Sequence, residues 1–125
     1  MERSRDWLNQ AERDLEKARV DLEHRYFEWA CFTAHQAAVK AVFRARGGSV
    51  RGHALLHLLR QLPGDLSVSE DLLHSARVLD RYYIEARYPD GFPSGSPMEY
   101  FDQTLATEAI DAADTIFRFC SGHLD

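Results

Sequence analysis

FEWACFTAHQAAVKAVFRAR, residues 27–46, is the stretch that decides the fold. Phe27, Ala30, Cys31, Ala34, Ala37, Ala38, Ala41 and Val42 follow a repeat of about 3.6 residues, and Val39 and Phe43 widen the apolar side they form. A helix apolar over so much of its circumference belongs at the centre of a bundle. Its alanines let neighbouring helices approach closely. Gly47-Gly48 is expected to end it, since glycine takes up the left-handed conformation that commonly closes a helix.

The flanking chain supplies the neighbours. On the N-terminal side, Trp7, Ala11, Leu15, Ala18 and Leu22 form one apolar stripe on a helix over roughly residues 4–24, with Arg5, Glu12, Arg13, Glu16, Lys17 and Arg19 on the other face. Beyond the central helix, Leu55, Leu58, Leu59 and Leu62 share one side of a short helix from His53 to Gln61, stopped by Pro63-Gly64. Ser67-Val68-Ser69-Glu70 has the pattern of a capping box, with Ser67 as N-cap and Glu70 at N3. It opens a helix to about Arg87, carried by Leu72, Leu73, Ala76, Leu79, Tyr83 and Ala86. Residues 88–95 collect turn formers. Ser96-Pro97-Met98-Glu99 then reads as a second start signal for a last helix to about Cys120, with Gly122 closing it. No stretch alternates apolar and polar residues as a strand would. The prediction is an all-α, up-and-down four-helix bundle with an additional short helix, in a single domain over residues 1–125.

Composition narrows the function classes. A chain of 125 residues buries a core without metal or disulfide staples. Its 15 Lys and Arg against 20 Asp and Glu give a net charge of −5, which argues against a broad non-specific nucleic-acid surface. Cys31 and Cys120 lie far apart in apolar runs and are read as buried thiols rather than a disulfide or zinc pair. The N-terminus carries no apolar signal-peptide core, and no run approaches a membrane span, so a cytoplasmic protein without membrane association is expected.

Several enzyme classes lack their motifs. There is no phosphate-cradling glycine loop followed by Lys-Ser/Thr, no HExxH and no nucleophile elbow. His53 and His57 share a helical face, but no third ligand is near them in sequence, so no metal site and no cofactor is expected. Asp80, Tyr83 and Arg87 fall on one helical face at spacings of three and four. A guanidinium fork, a phenol and an orienting carboxylate suit a phosphate or a base. The same residues also suit an internal salt bridge that clamps the following loop. His35, Gln36 and Lys40 form a second polar group, with Lys40 either snorkelling to solvent or aimed at an anion.

Phe32-Thr33-Ala34-His35-Gln36-Ala37-Ala38-Val39-Lys40-Ala41 resembles the second helix of the HEPN family, in which an aromatic residue precedes Gln-Ala-Ala and then a glutamate and a lysine. Gly52-His53-Ala54-Leu55 is similar to the start of that family's short helix, and Tyr83-Ile84-Glu85-Ala86-Arg87-Tyr88-Pro89-Asp90 to its Tyr-x-x-x-Arg-Tyr-Pro signature. Trp7-Leu8, Ala11, Asp14-Leu15 and Ala18 resemble its opening helix, so the likeness spans nearly the whole chain in register. The resemblance implies a helical bundle that often dimerises, nucleotide binding, and partnership with a small nucleotidyltransferase in toxin–antitoxin-like two-component modules. Other members are ribonucleases that use an arginine followed four to six residues later by histidine.

Two departures shape the functional expectation. After Arg87 the chain runs Tyr-Pro-Asp-Gly-Phe-Pro, with no histidine before His123. RNA cleavage needs a group that moves the 2′-hydroxyl proton, which imidazole does near neutrality and guanidinium does not. Arg51 with His57 meets the spacing formally and Arg46 with His53 comes within one residue of it, but both pairs surround the short helix. Val39 stands where the family pattern favours glutamate. The expected function is therefore binding, with Lys40, Asp80, Tyr83, Arg87 and His53 as contacts for ATP or GTP, in a homodimer paired with a nucleotidyltransferase. The alternatives are a metal-independent ribonuclease using Arg51 and His57, under which RNA is the substrate, and a purely structural dimerisation scaffold.

Overall fold

The computed structural model describes residues 3–46, 54–62, 64, 66–85 and 92–122. Among these residues lie α1 (Ser4–Glu23), α2 (Phe27–Arg46), α3 (Leu55–Arg60), α4 (Glu70–Glu85) and α5 (Gln103–Gly122), with a 3-10 turn over Pro97–Glu99 and no strand. The all-α up-and-down bundle with one short extra helix is what the apolar periodicity predicts.

The central position of α2 rests on its alanines. Ala30, Ala34, Ala37, Ala38 and Ala41 are all completely buried, and Cys31 and Val42 lie among them. Around this helix, α1 contributes Ala11, Leu15 and Ala18, α4 contributes Ala76 and Leu79, and α5 contributes Ala109, Ala113 and Ile116. Three contacts set the register of α1 on α2. Trp7 meets Phe43 edge-on at 4.9 Å, Lys40 bonds the Asp14 carboxylate, and the Thr33 hydroxyl donates to Asp21 Oδ2 at 3.3 Å. The α1 numbers rise by seven at each step while those on α2 fall, so the two helices are antiparallel.

The turn joining them is a Schellman motif. The Tyr26 amide donates to the Asp21 carbonyl at 2.8 Å and the Arg25 amide to the Leu22 carbonyl at 3.1 Å. Arg25 holds the left-handed conformation at φ 65°, where glycine is the usual residue. Its guanidinium lies 5.4 Å from the Phe27 ring centre and offsets part of that strain. Arg25→Gly is expected to raise stability by a few tenths to about 1 kcal/mol, the relief of strain less the lost ring contact. A thermal melt that shows a lower midpoint for the variant would contradict this account of the turn.

Both start signals work differently from their sequence reading. Helix α4 begins at Glu70, and the Ser69 hydroxyl, not Ser67, accepts from the Leu72 amide at 3.2 Å. Glu70 is thereby at the first helical position, where its carboxylate takes Arg77 at 2.7 Å, which holds its pKa below the usual glutamate range. Glu99 does reach back to the Ser96 amide at 2.7 Å, but the helix it starts is only the 3-10 turn. Asp102 then caps α5 by accepting from the Leu105 amide at 2.9 Å. The Tyr82–Phe101 pair, at 5.4 Å, seats this double start against α4, and Phe92 stacks on Tyr100 at 4.1 Å. The expected Gly47-Gly48 stop lies outside the described residues.

Candidate functional site

Asp80, on the fourth turn of a sixteen-residue helix, gathers three donors. Its Oδ1 accepts from His35 Nε2 at 3.0 Å and from the Leu55 amide at 2.8 Å, and its Oδ2 accepts from the Leu56 amide at 3.0 Å. Leu55 and Leu56 open α3, whose own N-cap residue, Ala54, has no side-chain acceptor to offer. Asp80 thus caps α3 from another helix.

His35 is fully buried on α2. A carboxylate only accepts, so Nε2 carries the hydrogen that points to Asp80. The Gln36 side-chain amide lies 3.3 Å from the other ring nitrogen, Nδ1. Burial alone would push the Asp80 pKa up, but the bonds from His35, Leu56 and Leu55 together outweigh it and hold the carboxyl below the usual aspartate range. The group is an ionised structural anchor.

Lys40 occupies a different seam. It faces α1 and bonds Asp14, with both side chains mostly buried. Asp80 faces α2 and α3. Of the other residues read as ligand contacts, Tyr83 lies on α4 by its backbone while its side chain falls outside the described set, and Arg87, His53 and Arg51 also lie outside the described residues. His57 is exposed on the last turn of α3. The helix is only six residues long, and its inward side is already filled by Leu55, Leu58 and Leu59.

Two more arginine–histidine pairs share the ribonuclease spacing, Arg19 with His24 and Arg118 with His123. Arg19 bonds Asp114 across the α1–α5 surface at 3.4 Å, and Arg118 bonds the same carboxylate from one turn further along α5 at 2.8 Å. His24 is exposed at the end of α1, and His123 lies outside the described residues. Cys31 and Cys120 are buried. Burial, reinforced by Asp102, Glu108 and Glu28, pushes the Cys31 thiol up to about 12, so it is not a nucleophile. Burial and Glu108 likewise raise the neighbouring Tyr82 phenol. No group of three or more His, Cys, Asp and Glu side chains among the described residues is placed to hold a metal, and no described helix is long and apolar enough to cross a membrane.

The His35–Asp80 contact spans 45 residues of sequence and is not signalled by either local motif. One signal was available. His35 sits between Ala34 and the Ala37–Ala38 pair on the apolar side of α2, so a buried partner was required of it.

Comparison with known proteins places this arrangement. The family model described as HEPN domain matches residues 4–123. TT1696 from Thermus thermophilus superimposes with a TM-score of 0.94 at 42% identity, over 98% of each chain. ST0689, an archaeal HEPN homologue, gives 0.80 at 40% identity over 100% of both chains. A HEPN domain protein from Thermotoga maritima gives 0.73 at 34% identity, over 94% of this chain and 95% of that one. Human sacsin is 28% identical over 124 residues, a match that takes in 90% of this chain but spans 3% of sacsin's length. With the bundle, its short third helix and these matches in agreement over nearly every residue, the chain belongs to the HEPN domain family.

Proposed function

We propose that this domain is a nucleotide-binding interaction module, acting as a homodimer beside a small nucleotidyltransferase in a toxin–antitoxin-like pair, and that it does not cleave RNA. The observation that carries this reading is the chain after Arg87, in which no histidine follows at the nuclease spacing. The arginine is retained without the proton-transfer partner that cleavage requires. Arginine alone binds phosphate through a charge-assisted fork. Support also comes from Asp80, whose carboxylate is already engaged by His35 and two amides and is held ionised. It is a scaffold for the helix that leads to Tyr83 and Arg87 rather than a proton acceptor. Lys40, tied to Asp14, contributes to a ligand only by leaving that pair.

The test is a calorimetric titration with ATP and with GTP. Arg87→Ala is expected to weaken nucleotide binding roughly tenfold or more, the loss of a charge-assisted contact. Binding left unchanged by Arg87→Ala would remove the site assignment. Absence of any nucleotide binding, with a solution mass fixed at twice the chain, would favour the structural scaffold. Cleavage of RNA by the purified protein, abolished in His57→Ala, would replace the binding reading with the Arg51–His57 ribonuclease; the exposed imidazole of His57 is what keeps that second reading specific.

A further inference from the structure

Helix α3 lacks the means to stand alone. Six residues are well below the length at which an isolated helix persists in water. Its first turn has no local cap, and its first two amides end on the Asp80 carboxylate. That carboxylate is in turn fixed by His35 of α2. A single side chain therefore joins three helices, while α1, α2 and α5 pack on one another through seams that do not involve α3.

We infer that Asp80 is a latch in trans, a carboxylate on α4 that caps α3 and makes this short helix a separately releasable strap on an otherwise continuous bundle. With the latch closed, Leu55, Leu58 and Leu59 are seated in the core and His57 and Arg60 are presented outward from a fixed helix. Opening the latch unseats those three leucines and carries His57 and Arg60 away with the strap. Among the described residues, the hydrogen bonds that tie α3 to the rest of the bundle converge on Asp80, so opening the latch leaves the burial of Leu55, Leu58 and Leu59 to hold the strap, and release is a local event rather than global unfolding.

Amide hydrogen exchange, read by NMR, tests this in the whole chain. In Asp80→Asn the charge is lost and one acceptor oxygen becomes a donor, which faces either the Leu55 amide and His35 or the Leu56 amide. The amides of Leu58 to Gln61 are expected to lose protection roughly tenfold or more, while core amides of α1, α2 and α5 stay within about twofold of wild type. Unchanged α3 protection, or an equal loss in every helix, would overturn the latch. Should the variant fail to fold, wild-type exchange in sub-denaturing urea decides instead. The latch requires α3 amides to open with a smaller urea dependence than those of α2 and α5, and exchange of α3 only through global unfolding would rule it out.

Discussion

Leucine in place of Ala37 is expected to destabilise the bundle by about 2–3 kcal/mol, lowering the thermal midpoint by roughly 6–12 °C. Ala37 is completely buried on α2, with Ala34, Ala38 and Ala41 equally buried beside it. Small side chains at these positions set the spacing between α2 and its neighbours. An isobutyl group has no void to enter, and interiors packed to crystal-like density accommodate it only by off-rotamer strain or by separating helices. A matched exposed change, Val20→Leu on the outer face of α1, should leave the midpoint within about 2 °C. Equal midpoints for both variants in a chemical or thermal unfolding series would mean that α2 is not tightly enclosed.

Asp80→Ala should cost about 2–4 kcal/mol at neutral pH. It strands a buried imidazole N–H and two helix-opening amides at once. The pH dependence distinguishes this from simple loss of packing. Hydrogen bonding holds the folded-state pKa of Asp80 below its ordinary value. Its ionised form therefore contributes stability that is fully present above the unfolded value of about 3.9 and fades as the pH falls through the lower folded value. The gap between wild type and Asp80→Ala should narrow below about pH 4. A gap that persists undiminished at about pH 2 would show that shape, not charge, is what the side chain supplies.

Much of this architecture was legible because it is periodic. The stripe from Trp7 to Leu22 and the broad apolar side of α2 identify two helices and their order from the centre outward, and the structure buries those positions fully or, at Trp7, Leu22 and Phe27, in part. Helix starts were less legible. Ser67 and Ser69 are both plausible caps two residues apart, and only the bond from Leu72 selects Ser69. Likewise Ser96-Pro97-Met98-Glu99 has every local feature of a helix start, yet Asp102 captures the next turn and begins α5. The polar residues were hardest to place, since their roles depend on partners distant in sequence. Lys40 and Asp80 read as members of one ligand set by residue type, while the fold gives one to α1 and the other to α2 and α3. Pairings across 26 and 45 residues leave no mark on local spacing.

The turn at Arg25 also bears on how the chain reaches this fold. Only His24, Arg25 and Tyr26 separate α1 from α2, and the turn's own backbone bonds already point the two helices antiparallel. Joining ends so near in sequence forfeits little chain entropy, whereas docking α4 on α2 must first close a loop several times longer. In kinetic terms the α1–α2 hairpin is the contact most readily made first, and it offers α4 and α5 a preformed surface on which to condense.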